Sequence, residues 1–177
     1  MRKIIIIMFF LITSLISSAA FASQANLSDA ESTAQKYMSA LFKGDFDLSF
    51  SLMDQDRLMT NFLAIQSQYE KAVVAGNADE FASQFGNIEN FDDLLQKSPK
   101  DFFILLSQMN REKIDPGKLK LMAETRFEVI GSNFVDVSTA NVDLKITLKK
   151  ANGSFFTEKG DLLLTLKDNK WVVVENG

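Results

Sequence analysis

The sequence predicts an α+β domain in which N-terminal helices pack on a C-terminal four-stranded antiparallel meander. Three observations carry this. Apolar residues recur at three- and four-residue spacing from Ala30 to Met109, the mark of helices that bury one face. From Met122 onward the spacing falls to two, as half-buried strands require. Asn152-Gly153 and Asp168-Asn169 then punctuate the second region as tight hairpin turns.

Ahead of the domain, Arg2 and Lys3 precede the apolar run Ile4 to Ile16, and Ser17 to Ala22 turn small. That order is a secretory signal peptide, and Ala20 and Ala22 at the positions a signal peptidase inspects place the cut before Ser23. A weaker second cleavage pattern is Ser18-Ala19-Ala20. An uncleaved anchor would need about 20 predominantly apolar residues, and this run ends after about 13. With no cysteine in the chain, lipidation at the cut is excluded. The expected organisation is a signal peptide over 1–22 and a single domain over 23–177, helical over 28–113 and a meander over 120–176. The expected location is the periplasm or the exterior, with the membrane a partner only during export.

Ser28 with Glu31 three residues on reads as a capping box opening the first helix, which buries Ala30, Ala34, Tyr37, Met38, Leu41 and Phe42 and stops at Gly44. Asp45 caps a short second helix carrying Phe46, Leu48, Phe50 and Met53. Asp54-Gln55-Asp56 restarts the chain into a long helix with a stripe of Leu58, Phe62, Ile65, Tyr69 and Val73, ending at Gly76-Asn77. Shorter helical pieces over 79–85 and 88–96 follow. Ser98-Pro99-Lys100-Asp101 then supplies an N-cap, a first-position proline and a first-turn acid for a helix that points Phe102, Phe103, Leu105, Leu106 and Met109 inward.

Asp115-Pro116-Gly117 reads as the boundary to the strands. Strand 1 spans 122–130, with Phe127 and Val129 on one face, and Gly131-Ser132 turns it. Strand 2, over 134–149, has apolar odd positions at Val135 and Val137 and apolar even positions from Val142 to Leu148. This phase slip predicts a β-bulge near 138–141. Strand 3 runs over 154–167 and strand 4 over 170–175, the latter holding Trp171.

The helix end Tyr37-Met38-Ser39-Ala40-Leu41-Phe42-Lys43-Gly44-Asp45 and the closing Asp168-Asn169-Lys170-Trp171-Val172-Val173 resemble the NTF2-like superfamily over about residues 28–53 and 120–176. The resemblance implies a curved sheet wrapped as a cone around the first helix, with Trp171 filling its interior. It also implies that isomerase-type members would set a carboxylate and a tyrosine inside the cone. Residues 57–113 depart from that family by reading as helix throughout, which implies either a helical cap over the cone's mouth or a different α+β fold.

Composition narrows the chemistry. Without histidine or cysteine, a Ser-His-Asp triad, a Cys-His pair and histidine-bound zinc or haem are excluded. Removing Arg2 and Lys3 from 19 basic residues leaves 17 against 23 acidic ones, a net charge of −6 on the mature chain, which argues against a nucleic-acid partner. The acid pairs Asp45/Asp47, Asp54/Asp56 and Asp92-Asp93 lack the ligand spacing of a calcium loop and read as helix caps and first-turn charge, so no metal is expected. The strand charges Glu124, Arg126, Glu128, Asp143, Lys145, Lys149, Lys159 and Asp161 all alternate onto a polar outer face, so none is stranded as a catalytic acid or base.

No catalytic residue and no cofactor are therefore assigned. Tyr37, Phe127 and Trp171 are the residues expected to line any ligand pocket, and the phenylalanines at 102–103 and 155–156 are read as core or cavity lining. The reading is an exported, non-catalytic binding or accessory protein for a small apolar molecule or an envelope protein. Its rivals are a cone-pocket isomerase or dehydratase with an acid beside Tyr37, and a protein-interaction component of a secretion or envelope assembly presenting an apolar patch on the 57–113 helices.

Overall fold

The computed structural model describes residues 26–86, 88, 90–150 and 152–176; the expected signal peptide and the expected cleavage residues Ala20, Ala22 and Ser23 lie outside them. Helix α1 is Leu27–Lys43. Asn26, not Ser28, is its N-cap: the Asn26 side chain accepts the Ser28 N–H at 3.0 Å. The capping box is a misreading, because Asn26 reaches the free N–H groups two residues earlier and releases Glu31 to accept from Ser132 Oγ of the sheet at 2.5 Å. Gly44 closes α1 in the left-handed conformation, φ 82°.

Helices α2 (Phe46–Ser51) and α3 (Gln55–Ala75) follow, with Asp45 and Asp54 as side-chain caps, as the sequence requires. The buried stripe of α3 is Leu58, Phe62, Tyr69 and Ala72; Val73, expected inward, is half exposed. Over four turns the 3.6-residue period carries position 73 off the buried arc and brings position 72 onto it. Short helices α4 (Ala78–Ser83) and α5 (Phe91–Leu95) lead to α6 (Pro99–Glu112), where Ser98 Oγ accepts the Asp101 N–H at 3.2 Å.

The Asp115 segment opens a further helix instead of a strand: α7 is Pro116–Ala123, with Asp115 accepting the Gly117 and Lys118 N–H groups. An Asp-Pro-Gly start satisfies a helix N-terminus as well as it makes a turn. The meander therefore begins later, as β1 (Arg126–Phe134), β2 (Thr139–Lys149), β3 (Phe155–Lys167) and β4 (Lys170–Asn176), paired antiparallel in the order β1-β2-β3-β4.

Gly131-Ser132 lies within β1, and the turn falls at residues 135–138, closed by the Val135 N–H on the Thr139 carbonyl at 2.8 Å. The expected bulge near 138–141 is thus a hairpin turn, which changes phase without an extra residue. A bulge does occur, one strand earlier: Val129 pairs with Leu144 and Gly131 with Asp143, leaving Ile130 extra. A second irregularity lies between Leu163 and Leu164, where β4 holds the extra residue. At the last hairpin Asp168 and Asn169 take φ 48° and 60°, the pair of positive values that a two-residue turn demands.

Two apolar cores result. One lies between α1 and the sheet, with Ala30, Ala34, Tyr37 and Met38 set against Ala140, Val142, Leu144, Leu162, Leu164, Trp171 and Val173. The other lies among α3 to α6 and is aromatic, with Phe102 at its centre beside Phe62 and Phe91. Among the described residues no helix is long and apolar enough to cross a membrane.

Candidate functional site

The face of the sheet turned toward α1 is where the sequence points, and it is occupied by side chains. Tyr37 (3% exposed) and Trp171 (6% exposed) pack in the α1–sheet core. Small residues at Ala30 and Ala34 let α1 approach the strands closely, and the alternating even positions of β2 and β3 meet it. Phe127 stands at the border of this core, edge-on to Phe42 with ring centroids 5.0 Å apart. Trp171 lies against Phe134, 6.2 Å between centroids. The three residues share one core, and two of them open onto different surface clefts, Phe127 toward Ser39 and Leu48, Trp171 toward Ser32 and Asn169.

The Tyr37 hydroxyl lies 4.0 Å from the Met53 sulfur. Met53 in turn bridges to Val173: the Val173 N–H donates to the Leu52 carbonyl at 2.8 Å and the Asp54 N–H to the Val173 carbonyl at 2.9 Å. The α2–α3 connection thus covers the outer edge of β4. It also brings Asp54 to Lys167, whose ammonium contacts Asp54 Oδ1 at 2.6 Å and Asp56 Oδ2 at 2.8 Å.

Asp54 is the buried carboxylate among the described residues. Burial pushes its carboxyl upward, but the Lys167 ammonium and the N–H groups of Asp56 and Arg57 outweigh that and hold it below the ordinary value. The same contacts raise Lys167. An ionised acid already met by a cation and by helix N–H groups is poorly suited to take a proton, so its chemistry is that of a latch between α3 and β3. Sequence reading identified Asp54 as a cap and missed Lys167; no local signal joins residues more than a hundred apart in the chain.

The outer strand face carries one cross-strand ion pair of the expected kind, Lys145 with Glu128 at 2.6 Å. Glu124, expected on strand 1, is instead the C-cap of α7, and from there it meets Lys149 of β2 at 2.7 Å. Lys149 holds Glu124 below its usual range. Phe102 is core, whereas Phe155 and Phe156, expected in core or cavity lining, are exposed; their hairpin extends beyond the helices.

Large apolar side chains also reach the surface of α3, at Met59, Leu63, Val73 and Val74, the last 90% exposed. Beside them Tyr69 faces Asp92, and burial together with that carboxylate pushes the phenol above its ordinary value. A separate groove between α7 and β2 is lined by Ile114, Leu121, Met122 and Leu148, rimmed by Lys113, Lys118 and Lys149 with Asp115 among them.

These features define an α+β protein with a helix laid on a four-stranded meander and a helical bundle attached. Among solved structures the chain is similar to an NTF-2-like protein of unknown function from Shewanella oneidensis MR-1, at 14% identity and a TM-score of 0.46, covering 85% of this chain and 95% of that one. It is also similar to a protein from Campylobacter jejuni provisionally described as an NTF2-like transpeptidase, at 14% identity and a TM-score of 0.41, covering 83% of this chain and 98% of that one. No family model matches the chain, and no curated protein matches it.

Proposed function

We propose that this chain is an exported, non-catalytic accessory protein of the NTF2-like type that acts by binding another protein of the envelope. One observation carries the reading: the space between α1 and the sheet is filled by packed side chains, while an unpartnered apolar stripe lies outside, on α3. Met59, Leu63, Val73 and Val74 fall within about 100° of arc on that helix, a stripe wide enough to seat a partner. The surroundings of α3 are rich in acids, with Asp56, Glu70, Asp79, Glu80 and Asp92 against Arg57 and Lys71, so the complementary partner surface is apolar with a basic rim.

The test is affinity capture from envelope extracts with the mature chain as bait, beside a Leu63→Asp/Val74→Asp double variant. A partner held by the native chain and lost by the variant supports the reading. Equal capture by both would contradict it.

A second reading has its own observation. The α7–β2 groove joins an apolar floor to a lysine rim, a lining that suits a small amphiphile with an anionic head. Native mass spectrometry of the purified protein separates the two, since a retained small molecule, displaced by Leu121→Lys, belongs to this groove and not to α3.

A further inference from the structure

We propose that the first half of β3 pairs with the same segment of a second copy of this chain, antiparallel about Thr157. The strand is 13 residues long, but β4 pairs with it from Leu162 to Lys167; residues 155–159 are exposed and, among the described residues, pair with β2 alone. The Lys150 N–H donates to the Ser154 carbonyl at 2.8 Å and the Leu166 N–H to the Ser138 carbonyl at 2.7 Å. Even-numbered residues of β3 therefore turn their backbone groups toward β2, and odd-numbered ones turn theirs to the opposite edge. Phe155, Thr157 and Lys159 present a row of N–H and C=O groups along a strand edge, flanked by a phenylalanine ring 61% exposed.

The side chains select the occupant and the register. A two-fold axis perpendicular to the sheet keeps inner face beside inner face, so the axis must pass through a residue pair. Through Thr157 it sets Thr157 against the partner's Thr157, and Phe155 against the partner's Lys159 in both directions. All the outward backbone groups are then used, in about six hydrogen bonds. Each lysine lies by an aromatic ring, and the facing threonines make a favourable cross-strand pair. An axis through Glu158 or through Lys159 would instead set two like charges directly opposite, which is destabilising. The charge pattern thus disfavours the registers centred on 158 and 159, while an axis through Phe156 sets Lys159 opposite Gly153, outside the strand.

Analytical ultracentrifugation of the secreted chain tests this. The native protein is expected to sediment as a concentration-dependent dimer. Thr157→Pro removes an outward N–H and no bond to β2, so it is expected to give a monomer with an unchanged far-ultraviolet spectrum. The absence of cysteine adds a register test. Two Thr157→Cys chains place their Cα atoms about 5.5 Å apart, within disulfide range, whereas Lys159→Cys sites lie about 14 Å apart across the axis. Covalent dimer from Thr157→Cys and none from Lys159→Cys is the expected result. A native protein that stays monomeric overturns the proposal, including one whose β3 edge captures only a foreign peptide. So does a dimer that Thr157→Pro leaves intact, or one that cross-links through Lys159→Cys in place of Thr157→Cys. If Thr157→Pro fails to fold, the cysteine pair decides.

Discussion

Arg111 joins the two halves of the molecule at a single carbonyl. Both of its terminal nitrogens lie 3.3 Å from the Phe42 oxygen at the end of α1, and its guanidinium lies over the Phe46 ring. The group passes so close to Gly44 that a Cβ there would meet Arg111 Nε at 2.6 Å, in addition to the strain of φ 82°. Gly76 has a similar φ, 76°, with open space around it. Gly76→Ala is therefore expected to cost about 1 kcal/mol, the left-handed backbone alone, and Gly44→Ala about 2 kcal/mol. In an Arg111→Ala background the two costs should converge, as urea denaturation would show. Asp54 gives a pH prediction. Its carboxyl is held below its unfolded value, so its stabilisation is present above about pH 4 and is lost as pH falls through the folded value. Asp54→Asn keeps a capping oxygen but no charge and should flatten the melting-temperature profile on the acid side. Asp54→Ala should also lose the cap, about 1 kcal/mol at neutral pH.

The elements differ in how strongly they depend on single side chains. Phe102 is fully buried against the rings of Phe62, Phe91 and Phe103, so Phe102→Ala should destabilise by about 3–5 kcal/mol, against about 1 kcal/mol for Ser98→Ala at the same helix's cap. Phe155→Ala, on the exposed hairpin, should change monomer stability little, and equilibrium denaturation at low protein concentration checks all three. Much at this scale was legible from the sequence. Asp45, Asp54 and Ser98 cap the helices expected of them, and Asn152-Gly153 and Asp168-Asn169 turn the expected hairpins, because these residues act through bonds to their immediate neighbours. The misreadings have the opposite character. The phase change between Val137 and Val142 fits a bulge or a turn equally well, and only the β1 pairing decides. The extra residue Ile130 leaves no mark in β1, since Gly131 and Ser132 look like a turn in either case. Asn26 outcompetes Ser28 because both are capping residues, and Glu31 has a better partner in Ser132, a contact that chain-local reasoning cannot supply.

At the scale of the molecule, one core joins α1 to the sheet and another, aromatic, joins α3 to α6. They meet through Phe50 stacked on Phe103, Arg111 on Phe42 and Lys100 on Asp47 at 2.7 Å. The residues expected to line a pocket, Tyr37, Phe127 and Trp171, belong to one core. Their side chains share a core whose filling depends on how closely Ala30 and Ala34 let α1 approach, a quantity set by packing. We expect the membrane-borne part of the chain's life to end with cleavage before Ser23, leaving the outer surface of α3 as the working face. Site-specific photo-cross-linking in cells, with the reactive side chain at Leu63 or Val74 and a control at Glu128 on the outer sheet, tests this claim most directly. The account predicts a discrete adduct with one protein partner from positions 63 and 74 and none from 128. Adducts absent from 63 and 74, or equal from all three positions, would contradict it.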